Sequence, residues 1–145
     1  MTGIDFYFNA GDRLQIACRL AGKALAQGKR TLIYAPDAET AQRVDCLLWT
    51  WPATGFVPHC AQNDPHAAQT PVLIGDEPAT AAGCDVLLNL AAAAPPAFER
   101  FERLLEVVPR DDEARRAARE RYRYYRDRGY KIADHDLAGN AGAGA

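Results

Sequence analysis

Apolar residues along the chain alternate between short unbroken runs and longer stretches in which they recur every three or four positions. Ile4 to Phe8 (IDFYF), Arg30 to Ala35 (RTLIYA), Pro71 to Ile74 (PVLI) and Cys84 to Leu90 (CDVLLNL) are runs of the first kind. Runs of that length, rich in β-branched and aromatic residues, predict strands buried on both faces. Phe101 to Val108 (FERLLEVV) suits either a strand or a helix; its β-branched end and Pro109 favour a strand over Leu104–Val108. Tyr130 to Ile132 is a possible short edge strand.

The second kind predicts helices. Leu14, Ala17, Cys18, Ala21, Ala24 and Leu25 line one side of Arg13 to Gln27, with Asp12 as a possible N-cap and Gly28 as the stop. Ala38, Ala41, Val44, Asp45 and Leu48 line a second helix, opened by Asp37 and running to about Trp49. The third lies within the stretch Arg110 to Tyr130, punctuated by Pro109 before it and Gly129 after it, and starts on the acidic run Asp111-Asp112-Glu113. Alternation of this kind predicts an α/β fold: one domain with a mostly parallel central sheet and helices on both faces. The domain is expected to cover residues 1–137, with Ala138 to Ala145 (AGNAGAGA) as a flexible tail. Between the second helix and the third strand, Trp51 to Thr70 carries prolines and polar residues and reads mainly as loop. Its large apolar groups, with Trp49 before it and Phe56 and Val57 within it, either tuck under the loop or face a partner.

Composition narrows the function. With 145 residues and a net charge of −2, the chain suits one domain and lacks the overall basicity usual for nonspecific nucleic-acid binding. Its four cysteines form no CxxC pair, which predicts reduced, mostly buried thiols in a cytoplasmic protein. The N-terminus has no basic segment followed by an apolar run, and no apolar run reaches membrane-spanning length.

Catalytic signatures are sparse. The turn after the first strand, Asn9-Ala10-Gly11-Asp12, holds one glycine, with neither the dinucleotide fingerprint nor the phosphate loop of nucleotide-binding sheets. His59, Cys60 and His66 form the one local metal-type cluster, in a spacing that fits no common zinc site. The chain contains no serine, and nothing nearby supports Cys60 as a nucleophile. These features favour a binding module on a nucleotide-binding-like fold, with no cofactor and no metal.

The strongest pattern lies in the third helix. At about 100° per residue, Ala114, Ala118, Tyr122 and Tyr125 share one face, and Arg115, Arg119, Arg123 and Arg126 share the next. A guanidinium ridge beside an aromatic wall fits a ligand that is part carboxylate and part apolar. The alternative is a solvated face in which the arginines pair with Asp112, Glu120 and Asp127.

Four segments carry a family resemblance: DFYF at Asp5 to Phe8, GKRTLIYAPDAETAQRVDCLLW at Gly28 to Trp49, GFVPH at Gly55 to His59, and ARERYRYYRDRGY at Ala118 to Tyr130. In this order and spacing, from about residue 5 to 132, the chain resembles the chi subunit of bacterial DNA polymerase III holoenzyme. The resemblance implies a small non-catalytic α/β protein that links the clamp loader, through the psi subunit, to the acidic C-terminal tail of single-stranded-DNA-binding protein. It implies a tail site at Arg115, Arg119, Tyr122 and Arg123, and a psi contact at Trp49, Phe56 and Val57 with Pro58 and His59 adjacent. It implies that DNA is reached only indirectly. The Ala/Gly end departs from the family's more polar C-terminus. Two other readings stay open: a degenerate nucleotide-binding enzyme on the same fold, and a direct nucleic-acid binder serving a helicase.

Overall fold

Seven strands form one parallel sheet in the computed structural model, which describes residues 2–50, 57–81 and 83–137. They are β1 (Gly3–Ala10), β2 (Thr31–Tyr34), β3 (His59–Ala61), β4 (Val72–Gly75), β5 (Val86–Asn89), β6 (Arg103–Pro109) and β7 (Ile132–Asp136). Their order is β3-β4-β2-β5-β6-β1-β7, and every pairing is parallel. The helices are α1 (Arg13–Ala26), α2 (Ala38–Thr50) and α3 (Asp112–Asp127).

Strand residues alternate between two cores, as the two-residue period of a strand requires. Ile33, Val72, Ile74, Val86, Leu88, Leu105 and Val107 pack with α1 and α2 through Leu14, Ala17, Cys18, Ala21, Val44 and Leu48. Ile4, Phe6, Leu32, Leu73, Leu87, Leu104 and Val108 face the other way and pack with Ala118 and Tyr125 of α3. Helices therefore cover both faces, and the central strands are apolar on both sides, as expected from their unbroken runs.

Asp12 caps α1 by accepting from Leu14 N and Gln15 N at 3.1 and 3.2 Å. Asp111 caps α3 by accepting from Ala114 N at 3.0 Å. Gly28 and Gly129, at φ +74° and +84°, take up left-handed backbone just past α1 and α3, where a Cβ would be strained.

Two elements differ from the sequence reading. His59–Ala61 forms an edge strand on β4 inside the segment read as loop. The final strand covers Ile132–Asp136 and pairs with β1 from Ile4 to Phe8, longer than the short edge strand expected at Tyr130 to Ile132. Its pattern is polar (IADHD), so it carries no strand signal of its own. Tertiary contacts supply one. Asp5, almost fully buried, pairs with Arg103 and with His135 Nε2 at 3.1 Å, and the Tyr7 and His135 rings stack at 4.5 Å.

Candidate functional site

The third helix is seated by a buried polar network. Glu106, at the middle of β6, is fully buried beside Asn89 of β5 and Phe6 of β1. Its carboxylate accepts from Arg121 Nε at 3.0 Å, from Tyr125 Oη at 2.6 Å and from Asn89 Nδ2 at 3.0 and 3.1 Å. Arg121 also donates to the Ala92 carbonyl at 2.7 Å. Burial pushes the Glu106 carboxyl up, while the Arg121 guanidinium, Tyr125 and Asn89 pull it down; burial outweighs them. Burial and the Glu106 carboxylate together push the Tyr125 phenol far up, so it acts as a donor at any ordinary pH. The sequence reading placed Arg121 in no role. One signal could have found it: three residues after Ala118 and four before Tyr125, it shares the packed face, where only a buried acid can satisfy it.

With Ala118, Arg121 and Tyr125 turned inward, α3 presents Arg115, Arg119, Arg123 and Arg126 outward, and all four are exposed. Tyr122 sits half-buried on the border, its ring 5.0 Å from Phe6. Its hydroxyl lies 3.3 Å from Asp134 Oδ2, and burial, together with that carboxylate, pushes the phenol up, so it stays neutral.

Two hollows flank Arg119. One, of about 270 Å³, is lined by Phe8, Ala118, Arg119, Tyr122, Arg123 and Arg126. The other, of about 320 Å³, is lined by Phe8, Asn9, Arg115, Arg119 and Asp136. They share Phe8 as a floor and Arg119 as the divide. The structure thus brings all four expected residues, Arg115, Arg119, Tyr122 and Arg123, to one groove between α3 and the β1/β7 edge.

The charges on the ridge are largely unneutralised. Arg123 lies 3.7 Å from Glu120, and Arg126 lies 3.7 Å from Asp127, long separations between exposed side chains. Pairs of that kind contribute about 0–1 kcal/mol. Arg119 has no ion pair or hydrogen bond among the described residues. The self-neutralised face offered by the sequence is realised in part, through Glu120 and Asp127. Arg115 donates to Asn9 Oδ1 at 2.6 Å, a contact the sequence did not suggest.

The second surface lies at the opposite edge. Trp49, at the end of α2, is 61% exposed, and its ring meets the His59 ring edge-on at 4.8 Å. His59 is buried; its Nδ1 lies 2.7 Å from the Val57 carbonyl, and its Nε2 lies 3.3 Å from Asp45 Oδ1 without hydrogen-bond alignment. Asp45 and Trp49, four residues apart on α2, bracket the imidazole. Val57 is 1% exposed and packs in the core, and Pro58 is half-buried. Of the described residues expected at this surface, Trp49 is the large exposed apolar group. Val57 and His59 lie beneath it, and Phe56 lies outside the described residues.

The strand-end crevice, where doubly wound sheets bind ligands, has a volume of about 260 Å³ and is lined by Arg13, Asp111, Arg121 and the turn at Ala91 and Ala92. Its cations are already engaged: Arg13 donates to the Leu90 carbonyl at 2.7 Å and Arg121 to that of Ala92. The Asp12 carboxylate occupies N–H donors at the start of α1 that a phosphate would need. No cluster of three or more metal-ligating side chains occurs among the described residues. None of the described helices is long and apolar enough to cross a membrane.

The family described as "DNA polymerase III chi subunit, HolC" matches residues 1–133. The chain is 35% identical over 141 residues to DNA polymerase III subunit chi of Pseudomonas aeruginosa, covering 94% of this chain and 98% of the relative. It is 32% identical over 119 residues to subunit chi of Escherichia coli, covering 81% of each. The Haemophilus influenzae subunit chi is 30% identical over 126 residues, covering 85% of this chain and 86% of the relative. Among solved structures, S. cerevisiae Dbp5 bound to RNA and ADP BeF3 is similar with a TM-score of 0.62 at 13% identity. That likeness covers 94% of this chain and 41% of the Dbp5 chain, and it concerns the fold alone.

Proposed function

The chain belongs to the chi-subunit family of DNA polymerase III, and from that membership we propose that it serves as an adaptor between two protein partners of the replication machinery. It is an accessory subunit of a DNA polymerase in DNA replication, without catalysis of its own. In this reading the groove along Arg115, Arg119, Tyr122 and Arg123 holds the acidic C-terminal tail of single-stranded-DNA-binding protein. The Trp49 surface, with Phe56 and Pro58, docks on the psi subunit and through it on the clamp loader. Val57 and His59 act there as the packed support beneath Trp49. DNA is reached through the tail-bearing partner, in the cytoplasm.

One observation carries the reading: unneutralised guanidinium groups stand beside an aromatic and phenylalanine-floored hollow, at the sheet edge opposite the exposed tryptophan. From β3 to β7 the sheet takes six inter-strand steps, so at about 4.8 Å each the two surfaces stand roughly 25–30 Å apart. Both partners therefore fit at once. The ridge suits aspartates and a free carboxylate, and the hollow over Phe8 and Tyr122 suits an apolar end group. Charge-assisted hydrogen bonds of this type contribute about 1.5–3 kcal/mol when shielded and much less when exposed.

The test is calorimetry with a synthetic acidic peptide ending in phenylalanine with a free carboxylate. Arg119→Ala should weaken binding about tenfold or more, and affinity should fall as salt rises. An unchanged affinity in the variant, or indifference to salt, would reduce the ridge to a solvated helix face. Tight binding of single-stranded DNA by the isolated chain would favour a direct nucleic-acid binder instead.

A further inference from the structure

We infer that Asn9 is a positioning residue for the arginine groove: it fixes Arg115 and holds the end of β7 against it. The inference rests on the tail-binding reading of that groove.

Asn9 is in the left-handed region at φ +61°, which few residues other than glycine adopt, asparagine being the most tolerant. It lies where the β1–β6 register shifts between Tyr7 and Ala10, so the chain bulges there and turns the Asn9 side chain away from the sheet ladder. Both ends of the amide are then used. Oδ1 accepts from Arg115 Nη2 at 2.6 Å, and Nδ2 donates to Asp136 Oδ1 at 2.8 Å. The Asn9 carbonyl lies 3.3 Å from Arg110 Nε. One residue therefore ties the end of β1 to the start of α3 and to the end of β7.

The consequence is geometric. Arg115, Asn9 and Asp136 line the same hollow as Arg119 and Phe8. An exposed arginine free to sample its rotamers loses that freedom on gripping a carboxylate, which weakens binding. Anchored by Asn9, Arg115 has already lost much of it, and its remaining N–H groups stay available to an acidic ligand. The same amide keeps Asp136 hydrogen-bonded and so restrains a carboxylate that lines that hollow.

The experiment is a double-mutant cycle of Asn9→Gly and Arg115→Ala, read by calorimetry with the same synthetic acidic peptide. Glycine keeps the left-handed backbone and removes only the amide. Asn9→Gly should weaken the peptide about fivefold in the wild-type background and far less in the Arg115→Ala background. Thermal unfolding of Asn9→Gly identifies a structural effect: loss of stability with additive, background-independent weakening of binding overturns the positioning role. Unchanged peptide affinity in Asn9→Gly, with Arg119→Ala still weakening it, overturns the inference and leaves the groove reading intact. Failure of the wild type to bind the peptide overturns both.

Discussion

Removing Arg121 should destabilise the domain by an amount that shrinks as pH falls, and removing Glu106 by an amount that does not shrink. Arg121→Leu takes the guanidinium from a pair whose side chains are 8% and 0% exposed, leaving Glu106 buried with Tyr125 and Asn89 as its remaining donors. Breaking a buried pair by deleting one partner costs about 3–5 kcal/mol. The lower end applies here at pH 7, since two donors remain and the leucine refills part of the space. For a domain of this size, that lowers the unfolding midpoint by roughly 10 °C. The carboxyl has an escape. Burial already holds its folded pKa above the unfolded value, and Arg121 is the largest influence pulling it back, so its loss raises the value further. A carboxyl whose folded pKa exceeds its unfolded one favours folding fully below the unfolded value, about 4.3, and loses that contribution as pH rises through the folded value. The penalty of Arg121→Leu therefore narrows as pH is lowered from 7 towards 4.5. Glu106→Gln is the contrasting case: it strands a buried guanidinium that keeps its proton across this range, and it removes the carboxyl whose raised folded pKa favours folding at low pH, so its penalty widens as pH is lowered. Urea unfolding followed by circular dichroism at pH 5, 6 and 7 separates the two. Equal pH dependence in both variants, or an Arg121→Leu penalty below about 1 kcal/mol, would refute the view that this network seats α3.

Trp49→Ala should leave the thermal midpoint nearly unchanged, because the side chain is 61% exposed, while capture of a psi subunit falls by the equivalent of about 2 kcal/mol or more; a large loss of stability with normal capture per folded molecule would make Trp49 structural. Thiol labelling at pH 8 should modify exposed Cys46 rapidly and spare Cys18, which is fully buried and whose thiol burial pushes up to about 12, until denaturant is added; rapid labelling of native Cys18 would mean that α1 opens readily from the sheet.

Much of the architecture follows from local pattern. Central parallel strands are covered on both sides, so β2, β4 and β5 read as unbroken apolar runs wherever they sit. The caps Asp12 and Asp111 and the stops Gly28 and Gly129 act within a few residues of their own helices, which is why they are visible along the chain. The arginine ridge is legible for the same reason: a helix face depends on spacing alone.

What the pattern could not supply depends on partners distant in sequence. β7 is polar and becomes a strand only because β1 offers an unpaired edge and Asp5 and Tyr7 offer partners to His135, 130 residues from Asp5. β3 is three residues long and exists only by pairing with β4. Arg121 and Arg119 look alike in the sequence, two residues apart on one helix. Glu106 in the neighbouring strand buries the first and leaves the second to solvent, because a charge enters the interior only where another meets it. Asn9 likewise looks like an ordinary turn residue. The end of β7 and the start of α3 arrive on either side of its amide only after the sheet has formed, and that meeting makes the groove.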